Sequence, residues 1–188
     1  TPLAELCNAK PVQIITKEED EFRLTPEAIE AAVTEKTKLL VLPFPNNPTG
    51  AVLRREHLEA IAEVVIKHDL FILSDELYSE LTYGNDPHVS IASIPGMQER
   101  TILINGFSKA YAMTGWRLGF ATGPAPIIAQ MTKMHQYGIM SAPSMSQYAA
   151  IEALKNGDKD IQYMREEYDM RRRLLVSAFN RMGLHTFE

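Results

Sequence analysis

Ile104-Asn105-Gly106-Phe107-Ser108-Lys109-Ala110-Tyr111-Ala112-Met113-Thr114-Gly115-Trp116-Arg117-Leu118-Gly119 brings one lysine, hydroxyls, several glycines and one arginine into a short loop after an apolar run. An ammonium group is rarely placed at the end of a buried strand unless something consumes its charge, and Schiff base formation with a carbonyl cofactor does so. Ser108 and Arg117 suit a phosphate, the hydroxyl donating one hydrogen bond and the guanidinium a bidentate pair. Read together, Ser108, Lys109 and Arg117 describe a tethered phosphorylated aldehyde. A Ser-Lys pair alone is common, and a solvated loop lysine is its plainer reading, so the assignment depends on the rest of the chain.

Outward from this tract, apolar runs too short for helices alternate with amphipathic segments long enough to be helices. That alternation predicts repeated βαβ units in an α/β fold, around a mostly parallel sheet. Strands are expected at residues 12–16, 38–43, 70–74, 101–105 and 118–122, apolar throughout as strands covered on both faces should be. Thr25-Pro26-Glu27 reads as an N-cap, a first-turn proline and an acidic first turn, opening a helix through Ala28, Ile29, Ala32 and Val33. Residues 55–68 predict a second helix, with Leu58, Ile61, Ala62 and Val65 on one stripe and Lys67 and His68 near its negative C-terminal end. A third is expected over 147–155, stopped by Asn156-Gly157-Asp158, and a long charged one from Ile161 to about Arg181, closed by Gly183.

Two further tracts place polar groups just past a strand. Pro45-Asn46-Asn47-Pro48-Thr49-Gly50 follows Leu39-Leu40-Val41-Leu42, and Ser74-Asp75-Glu76-Leu77-Tyr78 follows Leu70-Phe71-Ile72-Leu73. In this order, with Gly-Trp-Arg-Leu-Gly after the lysine, they resemble the aspartate aminotransferase family, the class I/II aminotransferases of fold type I. The resemblance runs over nearly the whole chain. It implies a three-layer αβα large domain with helices on both faces of the sheet, pyridoxal 5'-phosphate as cofactor, and amino-group transfer between an L-amino acid and a 2-oxo acid through a Lys109 Schiff base.

The same resemblance implies the residue roles. Lys109 anchors the cofactor and moves a proton between the substrate Cα and the cofactor's C4′. Asp75 pairs with the pyridine nitrogen, and Asn47 and Tyr78 bond the phenolic oxygen. Ser108 and Arg117 hold the phosphate. Gly106 stands where the best-known branch has a second serine, and glycine there would let the chain approach the phosphate closely. The family turn often has a cis bond before Pro48. Residues 1–175 resemble the large cofactor-binding domain without its first part, and 176–188 the start of the small domain, with 183–188 read as a helix cap and an opening strand. The arginine that holds the substrate carboxylate has no counterpart, nor does the glycine-rich phosphate-binding helix, so the chain alone is expected to be inactive. The family is usually dimeric, and residues 135–147 are where partner contacts are expected. Two alternatives are a lyase of the same fold acting on a C–S bond and a non-catalytic regulator that binds the same cofactor.

Composition narrows the classes. A chain of 188 residues can hold one ordinary domain. The net charge of -5 offers no basic footprint for nucleic acid, and Arg171-Arg172-Arg173 reads as a solvated helix face. The single Cys7 excludes an internal disulfide framework and agrees with a reducing, cytoplasmic setting. No stretch approaches the ~20 apolar residues of a membrane span. His57, His68, His88, His135 and His185 lack metal-ligand spacing, and surface or packing roles are expected for them. Glu18-Glu19-Asp20-Glu21 reads as a solvated turn. Met131, Met134, Met140 and Met145 are assigned to core or interface packing.

Overall fold

The computed structural model describes residues 2–84 and 87–186. Four strands, β1 (Leu39–Leu42), β2 (Phe71–Asp75), β3 (Thr101–Gly106) and β4 (Gly119–Thr122), form one sheet in chain order. The first three run parallel, with Leu42 beside Ser74 and Asp75 beside Ile104, whereas β4 returns antiparallel and sets Gly106 against Gly119. The carboxyl ends of β1, β2 and β3 therefore share one edge with the start of β4.

Helices flank this mixed sheet: α1 (Pro2–Leu6), α2 (Pro26–Ala32), α3 (Arg55–Lys67), α4 (Ala125–Gly138), α5 (Ser144–Asn156) and α6 (Asp158–Arg181). The start of α2 is as expected, since the Thr25 hydroxyl accepts the Ala28 N–H at 3.3 Å and Pro26 needs no partner for a missing donor. On α3 the stripe Leu58, Ile61, Ala62 and Val65 is buried against Leu42, Ile72 and Ile29. Leu58, Ile61 and Val65 each contribute about 1.5 to 3 kcal/mol by leaving water. Glu30 of α2 bonds Lys67 at 2.7 Å and His68 at 2.8 Å, which ties the two helices together and holds its carboxyl below the usual range.

Several expectations differ from the structure, α5 among them, which begins three residues earlier than expected at Ser144. Residues 12–16 form no strand, and Val12 and Ile15 are exposed. An apolar run becomes a strand only where a neighbouring strand pairs with it, and among the described residues this one has no ladder partner. Helix α4 was not among the expected helices, and Pro126 sits in its first turn, where proline is well accommodated. Helix α6 begins three residues earlier than expected and runs unbroken to Arg181. Of the strand expected within 183–188, Phe187 and Glu188 lie outside the described residues, as does Thr1.

His57 has a local structural use. Its Nδ1 accepts the Arg54 N–H at 3.0 Å at the start of α3, while burial, with the Arg23 guanidinium adding to it, holds the ring below its ordinary pKa. The unfolded chain therefore takes up this proton before the folded protein does. As pH falls from the ordinary imidazole value near ~6.5 toward the lowered folded value, stability falls, and below the folded value this loss is complete. His57→Gln is expected to flatten that part of the curve of urea midpoint against pH.

Candidate functional site

The shared sheet edge brings chemistry-bearing side chains from three loops together. After β1, the turn is built on Asn46, whose Oδ1 accepts the Thr49 hydroxyl at 2.9 Å and whose carbonyl accepts the Gly50 N–H at 2.9 Å. The peptide bonds before Pro45 and Pro48 are both cis. Asn47 projects from this turn, and its amide donates to the Tyr78 hydroxyl at 3.3 Å. Tyr78 comes from the loop after β2. Lys109, from the loop after β3, lies with Nζ 5.6 Å from the centre of the Tyr78 ring, close enough for an ammonium to feel the ring's negative face.

Asp75 ends β2. Strand alternation puts it on the sheet face opposite Ser74, whose side chain is buried against the α3 side. Oδ1 of Asp75 accepts the Leu77 N–H at 3.2 Å, and Oδ2 has no hydrogen-bond partner among the described residues.

Ser108, Thr114 and Arg117 are linked through Thr114. Its hydroxyl donates to the Ser108 carbonyl at 2.8 Å, and its own carbonyl accepts from Arg117 Nη1 at 3.0 Å. Arg117 adopts a left-handed conformation with φ 53°, and Ala112 does so with φ 51°. Non-glycine residues rarely rest there, and such conformations concentrate where a backbone is held for a purpose. Ser146 of α5 supports this bend by donating to the Trp116 carbonyl at 2.7 Å. The exposed Arg117 guanidinium keeps donors free to face an anion.

The structure thus joins Asn47, Tyr78 and Lys109 by direct contacts, and Ser108 and Arg117 through Thr114. Asp75 stands at the same edge by strand register. Sequence reasoning missed Thr114 and Ser146, as well as a buried group around Glu76. Thr114 lies inside the quoted tract, but Ser146 is far along the chain and carries no spacing signal.

Gly106 has a reason within the sheet itself. A Cβ added there would lie 3.0 Å from Gly119 Cα and 3.1 Å from the Leu118 carbonyl oxygen. The absent side chain lets β3 and β4 approach each other. Gly106→Ala is expected to destabilise the protein by about 1 to 3 kcal/mol, because backbone must move to admit the methyl, and urea unfolding measures the loss.

The remaining candidates fall into structural roles. Arg172 and Arg173 pair with Asp169, and Arg172 also lies 5.5 Å from the Tyr83 ring centre. Among the described residues no group of His, Cys, Asp and Glu could hold a metal ion. None of their helices is long and apolar enough to cross a membrane. Met134, Tyr137, Met140, Met145 and Tyr148 on α4, α5 and their connection are strongly exposed, so the methionines are not core within this chain.

Known proteins share this sequence and fold. A sequence model described as aminotransferase class I and II matches residues 1–188. An aspartate aminotransferase of Pyrococcus abyssi is 48% identical over 187 residues, which is 98% of this chain and 48% of that protein. An aromatic-amino-acid aminotransferase of Thermococcus litoralis is 46% identical over 187 residues, again 98% of this chain and 48% of the relative. The solved structure of an aromatic aminotransferase from Pyrococcus horikoshii superimposes with a TM-score of 0.93 at 48% identity, covering 97% of this chain and 49% of that one. The chain spans about half the length of the curated relatives it matches. At these identities, with the fold shared throughout, the chain belongs to the aminotransferase class I and II family.

Proposed function

We propose that the polypeptide containing this chain is a pyridoxal 5'-phosphate-dependent aminotransferase that moves an amino group between an L-amino acid and a 2-oxo acid. The observation that carries this reading is the convergence of Asn47, Tyr78 and Lys109 at the edge where Asp75 ends its strand. The donor set fits the cofactor. Asp75 keeps an open carboxylate oxygen for a protonated ring nitrogen, and Arg117 keeps guanidinium donors for a phosphate, with Ser108 beside it through Thr114.

In this reading Lys109 holds the cofactor covalently, and its amine, once freed by substrate, carries the proton at the substrate Cα. When bound, the cofactor supplies an electron sink for the pair left behind when that proton departs. Asp75 keeps the ring nitrogen protonated. Because the Tyr78 oxygen already accepts the Asn47 amide hydrogen, its own O–H is free to donate, and the two residues together orient a phenolic oxygen. Arg117 and Ser108 fix the phosphate end, so the ring cannot slide along the sheet edge.

The proposal extends to residues 1–175 as most of the cofactor-binding domain and 176–188 as the start of a smaller one. Homodimerisation through the exposed face around Tyr137 and Met140 is part of it, since these side chains are left to water here. A cytoplasmic setting is proposed on the single free Cys7. Incubating the full-length protein and cofactor with a panel of amino donors and 2-oxoglutarate tests the reading. Glutamate and the donor's 2-oxo acid formed in equal amounts support it. Cofactor binding without transfer from any donor overturns it, and elimination products would favour the lyase alternative.

A further inference from the structure

Directly behind Asp75 lies a buried polar cluster that the proposed reaction does not use. The Glu76 side chain is 4% exposed, and its partners satisfy both carboxylate oxygens. Oε1 accepts the Ser74 hydroxyl at 3.0 Å and the Ser90 hydroxyl at 2.7 Å, while Oε2 lies 2.8 Å from His88 Nε2. The adjoining cavity, lined by Leu42, Phe44, Leu53 and Ile91, has about 10 Å³, room for no more than one water. Serine, histidine and a carboxylate also make hydrolytic triads. Here both hydroxyls donate to the carboxylate, and among the described residues neither bonds the imidazole, so no nucleophile is activated.

A buried carboxylate is costly unless it is fully bonded, and an apolar group of similar size often stabilises a fold as well. What the carboxylate adds here is geometric. Its partners come from β2 on one side and from residues 88–90 on the other, and Ser90 also caps the turn over Ile91–Ser93 by accepting the Ala92 N–H at 3.3 Å. The Glu76 N–H donates to the Ile104 carbonyl at 2.9 Å, which carries the β2–β3 pairing one residue past Asp75. Ser74 and Glu76 are fixed on one face of the sheet, so Asp75 between them is held toward the other. The segment 88–90 acts as a clamp on the strand end.

We propose that Glu76, with His88 and Ser90, is a positioning residue for Asp75, setting the direction from which its carboxylate meets the cofactor's ring nitrogen. This rests on Asp75 having the role proposed above. The test measures the dissociation constant of pyridoxal phosphate for the full-length protein by absorbance titration, with each variant also made on an Asp75→Asn background. Glu76→Ala is expected to weaken binding roughly tenfold and Ser90→Ala, which leaves the Ser74 and His88 contacts, roughly threefold. Glu76→Gln keeps an acceptor for the serines and a donor for His88, and restores binding to roughly native affinity. On the Asp75→Asn background the Ala variants change affinity less than about twofold, since the positioned group is gone. Equal weakening on both backgrounds, or lower melting temperature with unchanged affinity, overturns the proposal while leaving the cofactor reading intact. If Glu76→Ala does not fold, the Ser90→Ala cycle decides. Absence of binding by the unsubstituted protein overturns both readings.

Discussion

Lys109→Ala in the full-length protein is expected to lower amino-group transfer by at least about 10⁴-fold, because it removes the covalent anchor and the proton carrier together. No other lysine lies in the loops after β1, β2 and β3, so no second amine can substitute. Lys109 is half-buried, and its described contact is the Tyr78 ring at 5.6 Å, so the fold should survive the change with a melting temperature close to native. Borohydride reduction followed by peptide mass analysis reads the anchor directly. The native protein should gain the cofactor's mass on the Lys109 peptide and the variant should gain none. A variant that still retained the label elsewhere and turned over at more than about a hundredth of the native rate would remove Lys109 from the proposed role. Lys109→Arg separates charge from chemistry, since it keeps a cation near Tyr78 without a nucleophilic amine.

Asp75→Asn is expected to lower kcat by about 10²- to 10³-fold, the scale on which a preorganised electrostatic partner acts. Asparagine has nearly the same shape, and its carbonyl can accept the Leu77 N–H as Oδ1 does now, so the strand end should hold its geometry. What is lost is the negative charge that favours a protonated ring nitrogen. The result is read as a fall in kcat with the circular dichroism spectrum unchanged. Transfer within about threefold of native would show that the ring nitrogen finds its proton by other means.

The fold was legible in the sequence wherever a local pattern carried a physical cause. Leu58, Ile61, Ala62 and Val65 repeat at helical spacing and are buried together, and Thr25-Pro26 caps a helix as those residue types do. The apolar runs before Pro43, Glu76 and Phe107 became parallel strands. Residues 12–16 carried a similar run but found no pairing strand among the described residues. Helix α4 was not anticipated, and its apolar and polar residues begin directly after Pro124 with Pro126 in the first turn.

At the site, the sequence by itself determined which residue types stand just past the strands, and through them the family. The chemistry of an amine, a carboxylate, a phenol and a guanidinium is written in the residues themselves. Tertiary structure decided what each of them meets. Asn47 and Tyr78 are 31 positions apart, and only β1–β2 pairing brings them to 3.3 Å. Gly106 is required by the β4 backbone, which no local pattern announces. Glu76 reads as a second carboxylate beside Asp75. Its burial beneath His88 and Ser90 follows from alternation on a paired strand and the return of a loop 14 residues later. Long-range pairing converts sequence separation into contact, and a single chain read in order contains no measure of that distance.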